Sequence, residues 1–185
     1  MKLNKQSSIY FIAFFTFVVF GFVVILNMAN EFMKDKIEFA KNNEIQILLK
    51  ENMPCLDIKH GQIADNNFYY CQNNNLIALH HFSPVAYAGK IEYLAVFDSS
   101  NNFIKSINII THKETPGLGD KINDHHWLAS LYNKASSILR LKKEGGEIDS
   151  FTAASITPKS FLKGLQNDIT WIQTNKATIS QITKR

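Results

Sequence analysis

The sequence predicts an α+β protein: a single N-terminal transmembrane helix followed by one extracytoplasmic domain of antiparallel strands and packed helices. The first observation is an uncharged apolar run at residues 9–29. The second is a series of strand-like segments paired around Asn- and Asp-rich turns between residues 68 and 110. The third is a set of helix start and stop signals after residue 124. We therefore divide the chain into a cytoplasmic N-terminus (1–8), a membrane span (9–29), a stalk or packing helix (30–55) and one globular domain (56–185).

The apolar run reads as a retained membrane anchor. Its uncharged residues would span ~32 Å as a helix, about the thickness of the hydrocarbon core. A cleaved signal peptide, the alternative, has a shorter apolar region and a small-residue cleavage site, whereas residues 27–29 are Asn-Met-Ala. Lys2 and Lys5 precede the run without an acidic residue, and the other flank mixes both signs. The positive-inside rule then predicts a single-pass protein of the inner membrane with its domain on the periplasmic side.

Charge and cysteine content narrow the classes of function. The net charge is +4, but no run of Lys and Arg exceeds two residues, so nucleic-acid binding is not expected. Walker A, GxGxxG, GxSxG and HExxH motifs are absent. The adjacent histidines at 80–81 and 125–126 would point apart, and no metal site is predicted. Cys55 and Cys71 lack metal-site spacing, and the sequence leaves open a disulfide or two reduced thiols.

The elements of the domain follow from local patterns. Residues 31–50 have helical periodicity, and Pro54 ends that helix. Residues 68–71 and 76–80 flank a turn at 73–75, and residues 91–97 and 103–110 flank a turn at 98–102, so two hairpins are expected in a half-buried sheet. A loop at 111–120 precedes a helix predicted at 127–141, with Asp124 near its start. After a second loop, Thr157 is predicted as the N-cap and Pro158 as the first residue of a helix ending near residue 167.

Two segments carry candidate chemistry. The first is HKETPGLGD at residues 112–120. It could be an ordinary surface turn, or its glycines could let the backbone approach a flat ring or a phosphate closely. The candidate binding residues in this segment are His112, Glu114, Thr115, Gly117, Leu118 and Gly119.

The second segment is DSFTAASITP at residues 149–158. Its small and hydroxyl residues directly precede a helix start, where free N–H groups and the positive end of the helix dipole favour an anion. N-capping by Thr157 alone would leave the other hydroxyls unexplained. The candidate residues are Asp149, Thr152, Ala154, Ser155 and Thr157.

Together these features resemble the FMN-binding G subunit of the Rnf ion-translocating electron-transport complex, and more distantly the C subunit of the sodium-translocating NADH:quinone reductase. The resemblance rests on the anchor, on YAGKI at residues 87–91, on HKETPGLGDKI at 112–122, on Trp127 and on the motif that begins at Asp149. It implies an electron-relay protein, without a substrate pocket of its own, that works with the other membrane subunits of such a complex.

The resemblance also implies that a flavin transferase esterifies the phosphate of FMN to the last hydroxyl of a D-x-x-[S/T]-G-A-[T/S] motif, which here is Ser155. Ser155 stands where Thr is commoner, and Ala153 stands where the motif has Gly. A Cβ at position 153 would cost about 1 kcal/mol if the backbone there needs a positive φ. Two alternatives remain open: the same family with non-covalent FMN, and a membrane-anchored extracytoplasmic sensor or ligand-binding module.

Overall fold

The N-terminal helix, α1, is long and continuous. The computed structural model describes residues 5–72 and 74–183, so Lys2 and Asn73, which enter the predictions above, lie outside the described residues. Helix α1 covers Lys5–Asn52 and therefore contains the whole apolar run. Within the described residues it is the one helix long and apolar enough to cross a membrane, by length and composition. The chain divides into two units, Met1–Ile45 and Gln46–Arg185.

Within the described residues, five antiparallel strands form one sheet in the order in which they occur along the chain. They are β1 (Ile58–Ile63), β2 (Asn66–Cys71), β3 (Leu76–Phe82), β4 (Glu92–Asp98) and β5 (Phe103–Thr111). Strands β2–β3 and β4–β5 are the two predicted hairpins, so both are confirmed. Strand β1 was not predicted, because its sequence does not alternate. Its Gly61 lies under the Phe68 ring, where an added Cβ would collide with the ring carbon Cζ.

Strand β4, which lies between β3 and β5, departs from the expected half-buried sheet. All residues from Glu92 to Phe97 are at most 1% exposed, so both of its faces are covered. Buried strands of this kind are apolar throughout rather than alternating. One covered face carries Tyr93, whose ring packs edge-on against Phe161 with centroids 5.1 Å apart.

A disulfide joins Cys55 to Cys71, with Cα atoms 6.2 Å apart. It ties the segment after α1 to the end of β2. Of the two alternatives that the sequence left open, the structure has the disulfide.

The helix predicted at residues 127–141 is wrong for most of its length. Helix α2 covers only His125–Ala129, and short 3₁₀ helices follow at Ser136–Ile138 and Lys142–Glu144. The apolar residues that suggested a helix instead hold an irregular segment against the core, because Leu131, Leu139 and Leu141 are fully buried. The helix start was placed well: the Asp124 carboxylate caps α2 by accepting a hydrogen bond from the Trp127 N–H at 2.9 Å.

Two C-terminal helices, α3 (Ile156–Thr174) and α4 (Lys176–Thr183), complete the domain. Helix α3 extends past the predicted end at residue 167 because its buried stripe continues through Ile169 and Ile172. No signal had been recognised in this tail, although the spacing from Leu165 to Ile169 to Ile172 is helical.

Helix α3 is fixed to the sheet by a buried polar cluster. The Asp168 carboxylate accepts a hydrogen bond from the Tyr93 hydroxyl at 2.7 Å and pairs with His81 Nδ1 at 2.7 Å. Burial raises the pKa of Asp168, although the hydrogen bond and charge of His81 and the bond from Tyr93 oppose the shift. Burial, and then the neighbouring Asp168, raise the pKa of Tyr93 well above its usual value. Because a buried polar group without partners is costly, these contacts fix the position of α3 on β3 and β4.

Candidate functional site

A cleft of about 360 Å³ lies where three separate segments of the domain meet. One segment is the β3–β4 loop, the second is the loop after β5, and the third is the start of α3. Ten residues line it: Tyr87, Glu114, Thr115, Leu118, Gly119, Ala153, Ala154, Ser155, Ile156 and Thr157. The volume lies toward the small end of the range of small-molecule sites. The two segments singled out in the sequence are therefore two walls of one cleft.

The Glu114 carboxylate joins these three segments. It accepts a hydrogen bond from the Ala88 N–H at 2.9 Å through Oε1, and one from the Thr157 hydroxyl at 2.5 Å through Oε2. Glu114 is 6% exposed and Thr157 is 1% exposed. A buried carboxylate is tolerated only where its oxygens are paired, and here both pairs reach across the cleft walls. Glu114 was predicted as a ligand contact, and the structure adds this role in holding the walls together.

The two glycines of the TPGLG turn serve different purposes. Gly117 has φ +76°, and an added Cβ would meet no atom within 4 Å, so only its backbone conformation requires glycine. Gly119 lines the cleft, and an added Cβ would lie 2.5 Å from Glu114 Oε2 and 2.8 Å from Glu114 Cβ. Gly119 is therefore required by the close approach of the turn to the buried carboxylate.

The segment before α3 is a tight turn that presents Ser155 to the cleft. The Ala154 N–H donates to the Phe151 carbonyl at 3.3 Å, and Ala153 within this turn has φ +62°. The conformation that would favour glycine at position 153 is thus present in the structure. Ser155 occupies the N-cap position of α3, and no side-chain hydrogen bond caps this helix.

The predicted N-cap at Thr157 is wrong. Helix α3 begins at Ile156, two residues before the predicted first residue Pro158, and the Thr157 hydroxyl donates its hydrogen bond to Glu114. Pro158 accordingly lies within the first turn rather than at the first helical residue. The N–H groups at this helix end cannot pair within the helix, so together with the helix dipole they favour an anion beside Ser155.

The rim of the cleft is apolar and open to solvent. Tyr87 is 72% exposed, Ile156 55% and Leu118 41%. Exposed apolar side chains around a concave site are typical of small-molecule binding sites. The cleft thus combines an anion-favouring end at Ser155 with apolar walls suited to a flat ring.

Not all predicted site residues lie in the cleft. Seven of them line it: Glu114, Thr115, Leu118, Gly119, Ala154, Ser155 and Thr157. The other four predicted residues are not among its lining residues: His112, Gly117, Asp149 and Thr152. The Nε2 atom of His112 lies 2.8 Å from the Asn123 amide. Asp149 makes an exposed ion pair with Lys142 at 2.7 Å, and its carbonyl accepts the Trp127 indole N–H at 2.8 Å.

Besides Ala153, which lies within the motif, the structure adds two cleft residues that sequence reasoning did not select. Tyr87 and Ile156 both line the cleft with exposed apolar surface. Tyr87 was noticed only as the start of YAGKI, and Ile156 was passed over as a residue before the predicted helix. The sequence signal that could have identified each of them is an apolar residue directly beside a polar motif.

Comparison with known proteins agrees with this geometry. Residues 86–170 match a protein family described as the FMN-binding domain. The matched region contains both loops of the cleft and the first turns of α3. The region that forms the cleft is therefore similar to an FMN-binding domain.

Three informative relatives are each the G subunit of an ion-translocating oxidoreductase complex. The relative from Shewanella amazonensis is 28% identical over 85% of this chain and 86% of its own length. The relative from Buchnera aphidicola is 26% identical over 94% of this chain and 92% of its own length. The relative from Pseudoalteromonas atlantica is 38% identical over 52% of this chain and 48% of its own. The similarity to these G subunits extends over most of the chain, which confirms the resemblance seen in the sequence.

The different roles of the two glycines give a testable difference in stability. We expect Gly117→Ala to lower the free energy of unfolding by about 1 kcal/mol, through backbone strain alone. Gly119→Ala should cost more, because displacing Glu114 from its partners adds about 1–3 kcal/mol for a buried polar group. Chemical denaturation of the purified chain in detergent measures both. Equal losses in the two variants would contradict the close contact at Gly119.

Proposed function

We propose that this protein is an electron-relay subunit of a membrane-bound ion-translocating oxidoreductase complex, and that it carries FMN esterified through its phosphate to Ser155. The observation that carries the proposal is the position of Ser155 at the uncapped start of α3, inside a cleft with an apolar rim. Other membrane subunits of the complex would be the partners in electron transfer. A flavin transferase would attach the cofactor.

The two ends of the cleft suit the two ends of FMN. A phosphoester on the Ser155 Oγ would lie beside the free N–H groups of α3, where the helix dipole offsets its negative charge. The apolar side chains of Tyr87, Leu118 and Ile156 would lie along the flavin ring. When bound, FMN supplies the redox chemistry, and the protein positions it and adjusts its reduction potential.

The two departures from the flavinylation motif, at Ser155 and Ala153, lie in the wall of the cleft and bear on attachment of the cofactor. Ser155 keeps the hydroxyl that the ester needs. Ala153 adopts the positive φ of 62° that glycine would accept more readily. The folded turn therefore tolerates Ala153 at a cost of about 1 kcal/mol, and the flavin transferase would meet the same backbone shape.

We also propose that the domain lies on the periplasmic side of the inner membrane. Two features support this placement: the lysines before the apolar run, and the disulfide between Cys55 and Cys71. Disulfides persist in the periplasm and are rare in the cytosol.

Labelling of single cysteines tests this topology. In a Cys55→Ala/Cys71→Ala background, Lys163→Cys places a thiol on exposed surface of α3. A membrane-impermeant maleimide should label it in intact spheroplasts. The matched control Ser7→Cys should be labelled only after lysis. The reverse pattern would put the domain in the cytoplasm and contradict the proposal.

The covalent attachment is tested by fluorescence after denaturing electrophoresis of protein made with a flavin transferase. The natural protein and Ser155→Thr should fluoresce, because both carry the acceptor hydroxyl. Ser155→Ala should abolish the signal, while the matched control Ser150→Ala should keep it. Thr152→Ala should weaken the signal less than Ser155→Ala, and Ala153→Gly should load at least as well as the natural chain.

Two outcomes would overturn parts of this proposal. Fluorescence that survives in Ser155→Ala would move the attachment to Thr152 or Thr157. A natural protein that never fluoresces beside a competent transferase would exclude the ester. FMN recovered after denaturation would then indicate non-covalent binding, and no FMN at all would favour the sensor or ligand-binding module.

A further inference from the structure

The Glu114 carboxylate is a negative charge enclosed in the wall of the proposed flavin cleft. Its side chain lines the cleft and is 6% exposed. Both of its oxygens accept hydrogen bonds, one from the Ala88 N–H and one from the Thr157 hydroxyl. This is the bonding pattern of an ionised carboxylate, which has acceptors only.

No cation in the described structure pairs with Glu114. The ion pairs found among the described residues join other groups, and the two partners of Glu114 are neutral donors. A buried charge with only dipolar partners is weakly screened, so its field reaches into the adjacent cleft. The Thr157 hydroxyl is the part of this environment that a conservative substitution can remove.

We propose that Glu114 is a positioning residue that also keeps the reduction potential of the bound flavin low. This inference rests on the proposed function, since it places the flavin in this cleft. Reduction adds electron density to the flavin, and a fixed negative charge nearby opposes that addition. The same carboxylate holds the β3–β4 loop and the start of α3 together, so the charge and the shape of the cleft depend on one side chain.

Substitutions of Glu114 and of Thr157 should move the reduction potential of the flavin in opposite directions. A purely structural role of Glu114 does not predict this difference. In Glu114→Gln, the amide oxygen can still accept from Ala88 N–H, and the amide NH₂ can donate to a reversed Thr157 hydroxyl. The cleft keeps its shape and loses the charge, so the potential should rise. In Thr157→Val the Glu114 charge stays but loses the hydroxyl that donates to it. The charge is then less well screened, so the reduction potential of the flavin should fall. Thr157→Ser keeps the hydroxyl and should match the natural protein.

The experiment is a redox titration of the flavin-loaded full-length chain in detergent, followed by visible absorbance. Glu147→Gln is the matched control for net charge, since Glu147 is an exposed carboxylate with a side chain 54% exposed. It should leave the potential unchanged. A rise in Glu114→Gln together with a fall in Thr157→Val supports the proposal. Shifts in the same direction, or no shift in Glu114→Gln, would overturn it.

The design separates this inference from the mode of attachment. If Glu114→Gln does not fold, the pair Thr157→Val and Thr157→Ser decides the question, and a potential in the Val variant that equals or exceeds that of the Ser variant overturns the role of the charge. If FMN is bound without the ester to Ser155, the attachment proposal fails and the same titration still tests Glu114. If the natural chain takes up no FMN under any condition, both proposals fall.

Discussion

The site depends on one interaction, the hydrogen bonding of the buried Glu114 carboxylate. Its partners at Ala88 and Thr157 are 26 and 43 residues away along the chain. A buried carboxylate that loses a partner is costly, by about 1–3 kcal/mol or more for a charged group. The requirement to pair both oxygens therefore brings the β3–β4 loop and the start of α3 to the loop after β5. Gly119 follows from the same constraint, because no side chain fits beside the carboxylate.

The rest of the domain holds the partners of Glu114 in place. Strand β4 is covered on both faces and gives the loop before it a fixed base. Helix α3 is held by its apolar stripe and by the contacts of Asp168 with Tyr93 and His81. The N-terminal end of α3 is therefore presented at a defined position beside the loops. A site for a cofactor benefits from such rigid support, because its binding groups must already be in place.

The sequence revealed what depends on local signals and missed what depends on distant contacts. The two predicted hairpins formed because Asn- and Asp-rich turns separate β-rich segments, and both signals lie within a few residues. The helix predicted after Trp127 failed because Leu131, Leu139 and Leu141 are spaced by the core they enter, not by a helical repeat. Thr157 was assigned to capping because its local setting fits a cap, and only the distant Glu114 explains why its hydroxyl is used elsewhere.

The candidate site shows the same division. The cluster of hydroxyl residues near a helix start was visible in the sequence, and the resemblance to the flavinylation motif pointed to Ser155 among them. The exposed apolar rim at Tyr87 and Ile156 was not selected, because exposure is a property of the folded chain. From the sequence, the cost of a Cβ at position 153 depends on whether the backbone there has a positive φ. The folded turn has this positive φ at Ala153.

Peptide mass spectrometry of the flavin-loaded protein tests the central claim most directly. Trypsin cleavage after Lys143 and Lys159 releases residues 144–159, a peptide that holds every hydroxyl residue of the motif. The account predicts that this peptide gains the mass of FMN less one water, and that its fragment ions place the added mass on Ser155. An unmodified peptide from protein that retains flavin after denaturation, or a modification on another residue, would contradict it.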